Sequence, residues 1–303
     1  MIERFLKVAA FGTVLLVVLV GCQTVRNGMG PELTPPAGDA IRIATYNVHY
    51  IVARDAGGRW SMDGWETRKA PLDTALKSLQ SDIIAFQEME TFSGGNDDSR
   101  NLAREWLLDR NPEYGAAAIG DWRTFPSTQP IFYHTSRFAV TDQGWFFFSE
   151  TPDVIYSRTF NGSWSAFASW AQFRTRAGGA LFRVVNVHTD YSSLSNRRKS
   201  IALVAKRIAP WIDAGETVFV VGDFNALRGS RLHGMLEDEG LTFVPVRGAT
   251  YHFDRGLNLF GAIDHIGYIG AGTVGDPTVW REKPDGVWPT DHYPVVADFW
   301  LPH

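Results

Sequence analysis

Cysteine is nearly absent: the 303-residue chain holds only one, Cys22. A lone cysteine excludes an intrachain disulfide framework, so stability must come from packing and from any metal the chain binds. An excess of basic charge is also missing. Lys and Arg number 29 against 33 Asp and Glu, a formal net charge of −4, and no Lys/Arg-rich run occurs. That argues against a non-specific nucleic-acid binder, although a bound metal can supply the positive charge a phosphate needs. The apolar run near the start, Val8 to Val20, has only 13 residues, short of the roughly 20 a bilayer span requires. No short internal repeat is evident. What is present is ordinary globular material, 45% hydrophobic and 20% charged, enough for one large domain.

The run from Val8 follows Arg4 and Lys7 and ends in Leu19-Val20-Gly21-Cys22. A charged start, a short apolar stretch and a small residue before cysteine resemble a bacterial lipoprotein signal with its lipobox. The resemblance implies that residues 1–22 are a signal peptide, that Cys22 is lipidated, and that the protein sits in the bacterial cell envelope, outside the cytoplasm. From Gln23 the composition shifts to Gly, Pro, Asn and Thr, with Pro31, Pro35 and Pro36. Residues 23–40 read as a flexible tether, and 41–303 as a single domain, expected to be a monomer.

Within the domain, Ile41 to Asn47 alternates like a strand, and Leu72, Ala75, Leu76 and Leu79 recur at helical spacing, predicting a helix over about 66–80. Asp82 to Glu88 reads as a buried strand ending in a carboxylate. A short helix follows around Leu102 to Leu108. Strands are expected at Ile131–Tyr133, Phe138–Val140, Trp145–Phe148 and Phe167–Phe173. The second half repeats the logic: a strand from Leu181 ending at His188, a helix through Ile201 and Ile208, and a strand from Val218 ending in Gly222-Asp223-Phe224-Asn225. A helix near Leu232 and strands at Thr250–Phe253, Ala262–Tyr268 and Val295–Leu301 complete the chain. Strand–helix–strand units in both halves predict an α/β fold of two packed sheets with helices outside.

The polar residues fall at strand ends. Asn47, Glu88, His188, Asp223, Asn225, Asp264, Asp291 and His292 each close or follow an apolar strand, where rigid scaffolds display chemistry. Taken singly, each has an ordinary explanation as a turn residue, a solvated end or a satisfied histidine. Jointly they form a set. Asn47, Glu88, Asp223, Asn225 and Asp291 are the oxygen donors a hard cation wants. The two histidines and Asp264 can supply the proton and charge handling that phosphoryl transfer needs.

Thr45-Tyr46-Asn47-Val48, Gln87-Glu88, Asn186-Val187-His188, Gly222-Asp223-Phe224-Asn225, Ile263-Asp264-His265-Ile266 and Thr290-Asp291-His292-Tyr293-Pro294-Val295 resemble the six ordered motifs of the endonuclease/exonuclease/phosphatase superfamily. The resemblance implies a DNase I-like four-layer αββα sandwich with a Mg²⁺- or Mn²⁺-dependent site at one rim. It implies Glu88 as the main metal carboxylate, with Asn47 beside it and Asp291 on the metal side. Asp223 and Asn225 would orient the water and the phosphate. His292 with Asp264 would be the acid/base dyad, and His188 would donate to a phosphate or leaving-group oxygen. Trp145–Glu150 with Thr151-Pro152, and Thr250–Phe253, resemble a bacterial subgroup of phosphatase-like members. Thr189-Asp190-Tyr191 departs from that subgroup beside the site. Arg158 and His252 are the candidate substrate contacts.

The expected activity is hydrolysis of a phosphomonoester or phosphodiester outside the cytoplasm. The expected substrate is a small molecule or lipid headgroup in preference to nucleic acid, and the expected membrane contact is through the lipid. An extracellular nuclease is the alternative within the class. A non-catalytic, ligand-binding surface lipoprotein is the alternative outside it, although no metal carboxylate or final histidine is missing.

Overall fold

Strand β1 (Ile41–Asn47) is buried along its whole length, and its alternate residues face two different cores. Ile41 and Ile43 pack with Phe182, Phe219 and Phe299, whereas Ala44 and Tyr46 pack with Leu72, Leu76 and Phe86. Successive side chains of a pleated strand point to opposite faces, so a strand apolar on both must lie between two layers. Strand β10 (Thr217–Asp223) repeats the pattern. Its Phe219 and Val221 join the central core, while Val218 and Val220 join a third with Ile201, Val204 and Ile208. The layers are therefore helix, sheet, sheet, helix, the αββα sandwich expected from the sequence. The computed structural model describes residues 2–92 and 100–302; Met1 of the expected leader and His303 of the expected domain lie outside them.

The first sheet runs β13 (Gly272–Val279), β14 (Val295–Trp300), β1, β3 (Ile83–Gln87), β6 (Ile131–His134), β5 (Tyr114–Ala117). The second runs β11 (Thr242–Phe243), β12 (Asp264–Ile269), β10, β9 (Leu181–His188), β8 (Phe167–Thr175), β7 (Phe138–Phe147). A small parallel ribbon pairs β2 (Ile51–Val52) with β4 (Thr91–Phe92). Helices α2 (Met62–Leu79) and α3 (Leu102–Arg110) cover the first sheet; α4 (Leu194–Asp213) and α5 (Arg231–Glu237) cover the second. α2 begins before the expected residue 66 because Ser61 caps it, its side chain accepting from Gly64 N.

Each half contains a parallel strand–helix–strand unit, β1–α2–β3 and β9–α4–β10. Parallel pairing puts both carboxyl ends of a unit on the same rim, where α/β sheets bind ligands. A buried polar clamp joins the two rims. Gln87 Nε2 donates to Asn186 Oδ1 at 2.7 Å, and Asn186 Nδ2 donates to Phe86 O at 2.7 Å. Gln87 immediately precedes Glu88, and Asn186 lies two residues before His188, so the clamp registers the two halves of the rim against each other.

Some elements differ from expectation. The strands expected at Phe138–Val140 and Trp145–Phe148 are one strand, β7, with a register shift between Val140 and Asp142. Thr250–Phe253 forms only an isolated bridge, Tyr251 to His292, because Phe253 and Asp254 turn the chain with positive φ of 58°. Strands β5 and β13 were not signalled by an apolar alternation.

Helix α1 spans Ile2–Gly28 and so continues past Cys22. Among the described residues no helix is long and apolar enough to cross a membrane. Residues 29–37 have neither helix nor strand. The end of α1 touches the domain: Asn27 Nδ2 donates to Asn258 O at 3.0 Å, and Asn27 O accepts from Ala249 N at 2.8 Å.

Candidate active site

The strand pairings bring the polar residues together. Asn47 is level with Gln87 across β1 and β3, so Glu88 follows directly beside it, turned by a positive φ of 56°. In the other sheet Asp223 is level with His188 on one side and Asp264 on the other. Gly222 sits where the backbones of β9 and β10 crowd. Its φ is 145°, and a Cβ there would collide with the carbonyl of Val187. Asn225 adopts a positive φ of 45°, its amide donates to Thr189 O at 3.0 Å, and its N–H donates to Asp223 Oδ1 at 2.8 Å.

The two sheets meet at Asn47. Its Nδ2 lies 3.1 Å from Glu88 Oε1 and 3.3 Å from Asp223 Oδ2. His188 Nε2 lies 3.6 Å from Asp223 Oδ2 and 3.8 Å from Glu88 Oε1. His292 completes the group. Its Nδ1 is 3.0 Å from Asp264 Oδ2, and its Nε2 is 3.8 Å from Asp223 Oδ2. Asp264 and Asp223 are almost wholly shielded from solvent. Burial opposes a charge on His292, but Asp264, Asp223 and Asp291 outweigh it and hold the imidazole well above its usual range. Burial and the charge of Asp264 push the Asp223 carboxyl up, offset in part by His292 and His188.

Asp291 stands on the other side of His292. Burial acts to raise its carboxyl, yet the hydrogen bond from His49 and the charges of His292 and His49 hold it well below the usual carboxylate range. His49 Nδ1 is 3.3 Å from Asp291 Oδ1. Asp254 joins them, with ligand atoms of His49, Asp254 and Asp291 within 4.8 Å of one another; Arg59 Nε forms an ion pair with Asp254 Oδ2 at 2.5 Å. Arg68 is buried beneath, donating to the carbonyls of Val48 and His49 at 2.7 Å each. Burial lowers its pKa to about 10. Thr290 Oγ1 donates to Asn47 O at 3.0 Å, tying the Asp291 loop to β1.

This donor set fits a hard divalent cation. Carboxylates of Glu88 and Asp291 and the amide of Asn47 stand at one rim, and the buried Asp254 Oδ1 and Asp264 Oδ1 have no hydrogen-bond partner among the described residues.

Of the residues expected from the sequence, Asn47, Glu88, His188, Asp223, Asn225, Asp264, Asp291 and His292 converge on this rim. His252 does not join them as a solvent-facing group. It has no exposed surface, stacks on Tyr293 at 4.2 Å and meets the tilted Trp288 ring at 4.5 Å, and burial lowers its pKa to about 3. Arg158 donates to Gly162 O within its own loop at 3.0 Å. The sequence reading missed His49 and Asp254. His49 lies only two residues beyond Asn47, past the end of β1 and with a positive φ of 64°. Asp254 had no such signal, since its loop turns through left-handed backbone. Tyr50 and Tyr251 also went unremarked; burial and the nearby Glu88 and Asp291 raise both phenols.

The sequence profile of the Endonuclease/Exonuclease/phosphatase family matches residues 44–293. Solved structures share the fold at low identity. A family protein from Bacteroides vulgatus is 23% identical with a TM-score of 0.72, over 88% of this chain and 100% of that one. A mannosyl-6-phosphatase of Bacteroides thetaiotaomicron is 22% identical with a TM-score of 0.70, over 86% and 100%. The human Nocturnin catalytic domain with bound sulfate is 16% identical with a TM-score of 0.60, over 88% and 97%. No curated protein sequence matches.

Proposed function

Because the chain belongs to the endonuclease/exonuclease/phosphatase family, we propose that it is a divalent-metal-dependent phosphoesterase acting outside the cytoplasm from a lipid anchor at Cys22. The observation that carries the reading is the convergence of His188 and the His292–Asp264 pair on Asp223, beside Glu88 and Asn47.

Glu88, Asn47 and Asp291 would hold Mg²⁺ or Mn²⁺, with His49 and Asp254 beside Asp291. The ion would supply Lewis-acid neutralisation of phosphoryl oxygens. The chain's own residues do the rest. Asp223, whose carboxyl is raised by burial, is a better base than a solvated aspartate and accepts the proton of the attacking water. Asn225 and Asn47 hold orientation on either side of it. Asp264 accepts from His292 Nδ1–H, fixing the ring so that Nε2–H faces the phosphate and meets charge developing there. His188 Nε2 donates to a phosphate or leaving-group oxygen.

The net charge of −4 and the lack of a basic run support a small-molecule or lipid-headgroup phosphate over nucleic acid. A chelator and metal-readdition series on an aryl phosphomonoester and an aryl phosphodiester tests the activity. Metal-restored hydrolysis is expected. No hydrolysis of either ester, nor of single- or double-stranded DNA, would favour a ligand-binding lipoprotein instead.

A further inference from the structure

The end of α1 docks beside the active-site mouth. Asn27 Nδ2 donates to the carbonyls of Asn258 and Phe260 at 3.0 and 3.1 Å, and Asn27 O accepts from Ala249 N at 2.8 Å. The fit is close: a Cβ on Gly28 would come within 2.8 Å of Asn258 Nδ2. Phe260 belongs to a strip of rings leading to the catalytic histidine. Phe260 lies 6.0 Å from Phe253, Phe253 lies 4.4 Å from Tyr251, and Tyr251 lies 5.0 Å from His292. Cys22 is five residues before Asn27 on the same helix, about 7.5 Å at helical rise. A lipid on Cys22 therefore enters at the catalytic rim, not at the far end of the sheets.

The apolar surface has the same polarity. Among the described residues beyond residue 40, ten large apolar side chains are exposed, and six of them, Trp60, Trp164, Tyr191, Leu194, Leu227 and Phe260, lie on loops or a helix start at the catalytic rim. Only Leu181 and Trp300 lie at the opposite end. Scattered exposed hydrophobes need no explanation, but their gathering on one face does. Leu227, two residues after Asn225, packs against Gly261 next to Phe260, and these two are 49% and 54% exposed. Arg228 and Arg255 flank them, exposed and without an acidic partner among the described residues. Apolar tips with exposed arginines on the same segments suit an anionic lipid surface.

The geometry points to a catalytic mouth that faces the anchoring membrane, with Leu227 and Phe260 entering its headgroup layer, and to a substrate that is a phosphate ester of a lipid in that membrane. Water adds to phosphorus, the ester P–O bond breaks, and the released alcohol takes the proton. The inference rests on the phosphoesterase reading and on the lipid at Cys22, and its test separates the three.

The experiment uses the lipidated chain on vesicles of phosphatidylethanolamine and phosphatidylglycerol. Cys22 is the only cysteine, so one added cysteine is the only free thiol. A fluorophore is placed at Leu227→Cys, at Phe260→Cys, or at Ala177→Cys in the turn after β8, at the opposite end of the sheets. Quenching by brominated lipid is expected to be at least about threefold stronger at 227 and 260 than at 177, as for side chains lying in the headgroup layer. Equal quenching at all three positions overturns the orientation, as does a chain that carries no lipid. The Leu227→Asp/Phe260→Asp variant is then assayed on two esters. Hydrolysis of a vesicle-embedded phosphate ester should fall at least about tenfold, while that of a water-soluble aryl phosphate stays within about twofold, because only the former needs the two buried apolar contacts. Equal loss on both esters overturns the substrate class. If the unsubstituted chain hydrolyses neither ester, it is the phosphoesterase reading that fails, and the quenching result still decides the orientation.

Discussion

Acidification should destabilise the fold through histidines buried as neutral rings. His233, His252 and His265 have no exposed surface. His233 lies between Phe224, at 5.5 Å, and Phe243, at 4.5 Å, with His265 4.3 Å away. Burial lowers His233 to about 4, with Arg228 adding to the effect, and lowers His265 and His252 to about 3. In the unfolded chain each returns to about 6.5. The unfolded state therefore binds more protons below that pH. The stability these rings contribute is fully present above pH 6.5 and is lost as pH falls toward their folded values. At pH 5 the unfolded chain gains about 2 kcal/mol per histidine, while the folded chain gains almost nothing. Three rings give about 6 kcal/mol, comparable to the 5–15 kcal/mol that holds a typical domain together. The cleanest perturbation is His233→Phe, which keeps an aromatic ring against Phe224 and removes the proton site. It also forfeits the Ser230 Oγ–His233 Nδ1 contact of 3.1 Å, about 1 kcal/mol at every pH. Urea unfolding followed by tryptophan fluorescence at pH 7 and pH 5 should show the loss on acidification shrink by about 2 kcal/mol in the variant. An unchanged difference between the two pH values would refute the reasoning, because the His233 ring would then not be held neutral by burial.

Four further outcomes are expected. His292→Ala and Asp264→Asn should each lower turnover on the order of 10²–10⁴-fold, and the double variant should be little worse than the worse single one, since the pair acts as a unit; steady-state kinetics showing additive losses would contradict the pairing. Glu88→Ala should stay folded by circular dichroism yet lose metal-dependent hydrolysis and bind Mg²⁺ or Mn²⁺ more weakly in calorimetry. Cys22→Ser should leave an unprocessed precursor that incorporates no radiolabelled fatty acid. Gly222→Ala should fold poorly, read as a fall of several degrees in melting temperature, because a Cβ there meets the Val187 carbonyl.

The candidate site was legible in the sequence because its polar residues sit where apolar strands end. Glu88 after Ile83–Gln87 and Asp223 after Val218–Val221 are announced by the change from buried apolar to polar residues. The two-sided burial of β10 likewise shows in its unbroken apolar run Val218–Val221, whereas β1 alternates and does not announce it. What was hidden depends on tertiary context. Strand β13 carries Gly272, Gly275 and Pro277 and has a register shift between Val274 and Thr278, so no alternation survives. Strand β5 is Tyr-Gly-Ala-Ala, too small-chained to read as a strand. His252 looked like a substrate contact because the sequence cannot show that Trp288 and Tyr293 close over it. Asp254 joins the rim only because Phe253 and Asp254 both turn through left-handed backbone.

Strand β14 lies antiparallel to β1, with Ile41 opposite Phe299, so β1 is covered on this side by a strand far downstream in the sequence. A polypeptide synthesised from its N-terminus exposes the β1 edge until Val295–Trp300 have followed it. The loop bearing Asp291 and His292 arrives together with β14. The rim thus lacks its dyad histidine until the sheet is sealed. A chain that has not yet formed β14 carries Glu88 and Asp223 but cannot bring His292 to them, so the candidate site is complete only once this segment is in place. Closing contacts between such distant segments is also slow, which leaves the waiting β1 edge open to pairing with other chains.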